Sequence, residues 1–170
     1  MSKLASNRLK LTIFTTFIFL ATFIFLLNFS SFNSVTFGYQ EYVFVQNWAR
    51  NNDTHKISEI HDVLATKDFV FVPDYENHNI KKFTKDGTFV LEWGKEGTDP
   101  GQFDTPHSMD VDSKGYVYVS DMNNKRIQKF DSNGSFIVEW GIAGEGAGEF
   151  LHPHGIAIDS NDDVYVADTE

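Results

Sequence analysis

A single register runs through most of this chain: residues of the same type recur at an offset of 47. Asp74, Asp121 and Asp168 stand at that spacing, and so do Phe83 and Phe130, Gly87 and Gly134, and Trp93 and Trp140. The offset also joins Gly97 to Gly144, Phe103 to Phe150, Pro106 to Pro153, His107 to His154, Asp112 to Asp159 and Val119 to Val166. One offset held across so many residue types requires a repeated structural unit. Internal repeats of roughly 40–50 residues mark propellers or solenoids.

The content of one repeat chooses between them. Within residues 106–141, His107–Asp112 is a short run with apolar Met109 and Val111, and Ser113-Lys114-Gly115 is a turn. Tyr116–Asp121 (YVYVSD) is rich in β-formers, Met122–Lys125 is a polar turn, and Arg126–Asp131 (RIQKFD) alternates apolar and polar. Asn133-Gly134, like Asp86-Gly87 one repeat earlier, supplies the positive φ of a tight hairpin before the last run, Phe136–Trp140. No apolar period of 3.6 appears, so helical solenoids are excluded. Four short antiparallel strands per repeat make a propeller blade. The reading is an all-β, partial β-propeller over residues 42–170, with blades at about 59–94, 106–141 and 153–170. The third stops after its second strand, and a stray strand is expected near Tyr42–Gln46. Ring closure takes about 4–8 blades, so the chain reads as a fragment of a longer protein.

PHSMDVDSKGYVYVSDMNNKRIQKFDSNGSFIVEWG resembles an NHL repeat, and LHPHGIAIDSNDDVYVADTE resembles the first half of another. The family pattern is Pro, an inner strand ending in Asp, a V-Y-V-x-D strand, then Asn-x-Arg-Ile. Asp121, Asn124, Arg126 and Ile127 match it. The repeat from about Glu59 keeps Asp74, Asn77 and Ile80 but has Asn79 in place of Arg and lacks Pro-His. The resemblance implies fold more than activity, since propellers carry many functions.

The N-terminal part differs. Residues 1–40 contain no acid and three bases, Lys3, Arg8 and Lys10; the remainder holds all 24 acids against 11 bases, a net charge of −13. Leu11–Phe29 is an uncharged run of 19 residues. As a helix it spans roughly 28 Å, the thickness of a bilayer core. Its length and the poor cleavage site at Ser30–Ser34 favour a retained transmembrane helix over a cleaved signal. The expected order is a cytoplasmic tail (1–10), the transmembrane helix (11–29), a linker (30–41) and an extracytoplasmic propeller. An acidic surface repels phosphate backbones, which argues against nucleic acid. The absence of Cys closes thiolate chemistry.

Two sets of residues are candidates for chemistry. Asp74, Asp121 and Asp168 each end a second strand, where a carboxylate can accept backbone N–H groups and Arg126 can pair with Asp121. That is a structural role. His107 and His154 follow Pro at the start of the inner strand, one per blade, and His61 lies near the same place but one residue out of register. Imidazoles converging on the channel could hold a metal, as in the NHL-fold amidating lyases that the repeats resemble; packing beside Pro with a bond to a backbone carbonyl is the alternative. The glycine-rich GKEGTDPGQF and GIAGEGAGEF lack a phosphate-loop Lys and suit blade-to-blade crossings. Phe103 and Phe150 are expected to plug between blades, and Trp93 and Trp140 to pack. With no convincing nucleophile or acid–base pair, the expected function is a binding scaffold for a protein, peptide or glycan, without a cofactor. The alternative is a lyase or hydrolase using zinc or calcium at the histidines.

Overall fold

The structure, a computed structural model, describes residues 56–169 and, before them, the backbone of two short strands. Those strands, β1 (Ser34–Phe37) and β2 (Gln40–Val43), form an antiparallel hairpin that pairs Ser34 with Val43. They belong to a compact unit, residues 1–45, distinct from the unit formed by 46–170. β1 and the start of β2 lie in the stretch expected as linker. The transmembrane helix expected over 11–29 lies outside the described residues.

The larger unit is all β. β3 (Leu64–Ala65), β4 (Phe69–Asp74), β5 (Asn79–Thr84) and β6 (Phe89–Trp93) make one four-stranded antiparallel meander. β7 (Pro106–Val111), β8 (Val117–Asp121), β9 (Arg126–Phe130) and β10 (Phe136–Trp140) make the second. Each is a sheet in sequence order, as tight turns between neighbours dictate. After β11 (Ile142–Ala143) and β12 (Glu149–Phe150), a third sheet contains β13 (Pro153–Ile158) and β14 (Val164–Asp168). Among the described residues there is no helix.

The glycine-rich crossings repeat as well. β11 and β12 pair in parallel, Ala143 with Phe150, and the bridge between Glu96 and Phe103 is the same clip one repeat earlier. Each clip drops a phenylalanine between sheets. Phe103 is fully buried, with its ring 5.5 Å from that of Phe130. Burying such a side chain is worth about 1.5–3 kcal/mol. Gly94 makes room: its φ is +95°, and a Cβ there would lie 2.5 Å from the Phe103 ring. Gly141 stands in the same relation to Phe150. The core links the first two sheets through Phe71, Ile80, Phe103, Met109, Val117, Val119 and Phe130. Trp93 packs against it, 6.2 Å from Phe71 and 5.9 Å from Phe130. β8 is buried at every residue, as a strand with sheets on both faces must be.

Candidate functional site

The repeated aspartates organise the start of each inner strand. Asp121 is fully buried and accepts from the Asp104 N–H (2.8 Å), Asn124 Nδ2 (2.9 Å), Arg126 Nε (2.8 Å) and Gln128 Nε2 (2.9 Å). Arg126 also donates to Glu139 and to the carbonyls of Thr98, Asp99 and Gln102, so it ties the preceding crossing to the blade. Asp74, equally buried, accepts from the Ser58 backbone and hydroxyl, from Asn77 Nδ2 (2.9 Å) and from Lys81 Nζ (2.9 Å). Cation and amide have changed places: Asn79 stands where the second blade has Arg126, and Lys81 stands where it has Gln128. Asp168 accepts from the Leu151 and His152 N–H groups at 2.9 and 2.7 Å.

Burial raises the carboxyl of Asp74, but its bonds to Ser58, Asn77 and Lys81 outweigh that and hold it below the ordinary value. At Asp121 burial prevails over Asn124, Arg126 and the Asp104 N–H, and the carboxyl is pushed up. These groups are consumed by internal bonds and offer nothing to a ligand.

The histidines sit immediately beyond this anchor. Opposite the three aspartates the ladder places Ile60 (Asp74), Pro106 (Asp121) and Pro153 (Asp168). The following residue in each blade is His61, His107 and His154. The one-residue offset of His61 reflects a shorter turn after the inner strand, four residues between paired Ala65 and Val70 against five between Val111 and Val117, and the three imidazoles occupy equivalent places. They form a row. His61 and His107 have ring centroids 4.8 Å apart, and His107 and His154 are stacked at 4.5 Å with planes 17° apart. Tyr75 extends the row, 4.7 Å from His61, and His152 lies 6.4 Å beyond His154. Sequence reasoning missed Tyr75, although it directly follows the repeated Asp74.

Three interactions fix the row. His107 Nδ1 lies 3.2 Å from the His154 carbonyl, and His61 Nε2 lies 2.9 Å from Glu59 Oε1. Asp62 accepts from Ser108 Oγ (2.7 Å) and the Met109 N–H (3.0 Å), stitching the first two blades together beside the rings. His107 lies below its ordinary pKa because of burial first, then the neighbouring His154 and His61; the His154 carbonyl and Asp62 oppose the shift. Among the described residues no group of three or more His, Asp or Glu stands in metal-holding geometry. The row is a partly exposed surface of ring edges and faces crossing three blades.

The profile of the DUF5128 family, a 6-bladed beta-propeller, matches residues 50–128 and 113–170. The chain belongs to this family. No curated protein matches this chain significantly. Among solved structures it is similar to a Bacteroides fragilis NCTC 9343 protein thought to be exported, at 18% identity and a TM-score of 0.55, over 68% of this chain and 31% of that one. It is also similar to a catalytically inactive virginiamycin B lyase from Staphylococcus aureus with quinupristin, at 18% identity and a TM-score of 0.51, over 76% of this chain and 38% of that one. At such identities the likeness is one of fold. The chain spans about a third of the length of these structures.

Proposed function

We propose that this chain contributes NHL-type blades to a membrane-anchored, extracytoplasmic propeller that binds a protein, peptide or glycan without transforming it. The observation that supports it is the ring row: Tyr75, His61, His107 and His154 present contiguous ring surface from consecutive blades, tilted along the row and stacked at His107–His154. Such surface takes up peptide side chains or sugar faces at low conformational cost. The surrounding charge, −13 beyond residue 40, favours a cationic partner. Anchorage through 11–29 with the basic tail inside rests on the charge asymmetry of the N-terminal segment. The test is a binding panel of cationic peptides and glycans against the chain and its Tyr75→Ala/His107→Ala variant. Binding that the variant retains undiminished would remove the ring row from the proposal.

The meeting of three imidazoles from three blades favours one second reading, the metal-dependent lyase or hydrolase implied by the resemblance. Titration calorimetry with Zn²⁺ separates the two. Stoichiometric uptake lost in His107→Ala/His154→Ala supports the metal site, and no heat above a buffer blank retires it.

A further inference from the structure

The first two blades treat one lysine differently. Lys82 and Lys129 are equivalent at the 47-residue offset. Lys129 Nζ lies 3.1 Å from Asp112 Oδ2, 2.6 Å from the Tyr118 hydroxyl and 4.4 Å from the Tyr116 ring centroid. In the first blade all three partners change. Phe69 and Phe71 stand at the places of Tyr116 and Tyr118. Thr66 stands at that of Asp112, because each closes the same turn: Thr66 N–H donates to the Phe69 carbonyl, and Asp112 N–H to that of Tyr116. The first blade therefore has neither the hydroxyl nor the carboxylate that the second gives its lysine.

Lys82 is nevertheless 3% exposed. Its Nζ lies 4.0 Å from the Phe69 ring centroid and 5.4 Å from that of Phe71, and it donates to the Ser132 carbonyl at 2.6 Å. An ammonium has three donors, and among the described residues Lys82 forms no ion pair. Burial pushes it below its ordinary pKa, and the charge of Asp131 opposes that shift. Phe69, Phe71 and Ser132, the residues around this ammonium, also line a cleft of about 430 Å³ between the two four-stranded sheets. That size is within the range of small-molecule sites. Exposed Lys67, Lys114 and Asp68 lie on its wall. Asp112 lies there too, but its carboxylate is taken up by Lys129, Tyr118 and the N–H groups of its own turn.

We propose that this cleft binds a small organic carboxylate. Its carboxylate takes on Lys82 the place that Asp112 takes on Lys129, and its apolar body lies against Phe69 and Phe71. The bond to the ammonium is charge-assisted and desolvated, which makes it strong. The two rings supply apolar area with little rotamer cost. The site is separate from the ring row: Phe69 begins β4, whereas Asp74, beside Tyr75 of the row, ends it.

The probe is radiolabelled phenylacetate in equilibrium dialysis against the full chain in mild detergent, with 2-phenylethanol as its uncharged counterpart. Saturable one-to-one uptake is expected, about tenfold or more tighter than that of the alcohol. Lys82→Met keeps most of the side chain's length and should weaken uptake by about tenfold or more. Thr66→Asp/Phe71→Tyr installs the second blade's own partners beside Lys82, so it should abolish uptake while its urea midpoint matches or exceeds the parent's. The Tyr75→Ala/His107→Ala variant should take up phenylacetate as the parent does, which separates this site from the ring row. No saturable uptake, equal uptake of the alcohol, or undiminished uptake by either cleft variant overturns the proposal. A lowered midpoint in Thr66→Asp/Phe71→Tyr also overturns it, because a carboxylate would then have no place beside Lys82.

Discussion

Asp121→Ala tests whether the repeated aspartate is an internal anchor. The substitution removes the shared acceptor of the Asp104 N–H, Asn124, Arg126 and Gln128 at a fully buried position. Orphaning a buried charge costs about 3–5 kcal/mol. Arg126, 7% exposed, would keep Glu139 and three carbonyls, which softens the loss. Burial already pushes the Asp121 carboxyl up, so part of its own desolvation is recovered on removal. The expected net loss is about 2–4 kcal/mol. Urea unfolding followed by tryptophan fluorescence measures it, with an unchanged slope confirming the same transition. Asp168→Ala is the internal control: the same repeat position, but exposed and bonded, among the described residues, only to two N–H groups, so its loss should be a small fraction of that at Asp121. An Asp121→Ala protein within about 1 kcal/mol of the parent would refute the anchor role, as would an Asp168→Ala loss of equal size.

Lys81→Gln should cost about 1–3 kcal/mol by stripping buried Asp74 of its cation, and adding Asn79→Arg should recover most of that by restoring the second blade's arrangement; urea midpoints decide. Gly94→Ala should destabilise by about 1–3 kcal/mol in the same assay, because its Cβ would meet the Phe103 ring at a positive φ. Asp74 titrates below its ordinary value, so the stability it confers is whole above the ordinary carboxylate range and is lost as pH falls through the depressed folded value. His107 is likewise depressed, so stability should decline as pH drops below about 6.5, and His107→Phe should flatten that slope in melts at stepped pH. Hydrogen exchange should find β8 amides far better protected than those of β14, and protease added to intact cells should remove residues 41–170 if the proposed orientation holds.

The blades were legible because their determinants are local and periodic. Asn133-Gly134 fixes a hairpin by its φ, and alternation in RIQKFD fixes a face, so each sheet follows from short-range rules applied twice. The parallel clips Glu96–Phe103 and Ala143–Phe150 were not legible as strands. They are one or two residues long, and only the phenylalanine that each one seats between blades carried a signal. The exchange of Arg126/Gln128 for Asn79/Lys81 was half visible: the missing Arg was plain, but its replacement two positions on is recognisable only when both side chains are seen to reach the same carboxylate.

His61 shows why a fixed offset is an incomplete guide. Sequence register counts residues along the chain, whereas spatial register counts ladder partners, and a turn of different length changes one without the other. In the second blade the bulge falls between Pro106 and Met109. The first carries a like extra residue between Ile60 and Leu64, paired with Asp74 and Phe71, but its next turn is one residue shorter: Thr66 N–H bonds to the Phe69 carbonyl where Asp112 N–H bonds to that of Tyr116. The aspartate is the fixed point in both, because its carboxylate ties down the N–H preceding the inner strand, at Ser58 and at Asp104. Counting from that anchor puts His61 beside His107, although counting by 47 does not. The ring row is therefore a consequence of the anchor: its spacing is set by the repeated carboxylates, whose bonds are internal, at Asp74, Asp121 and Asp168.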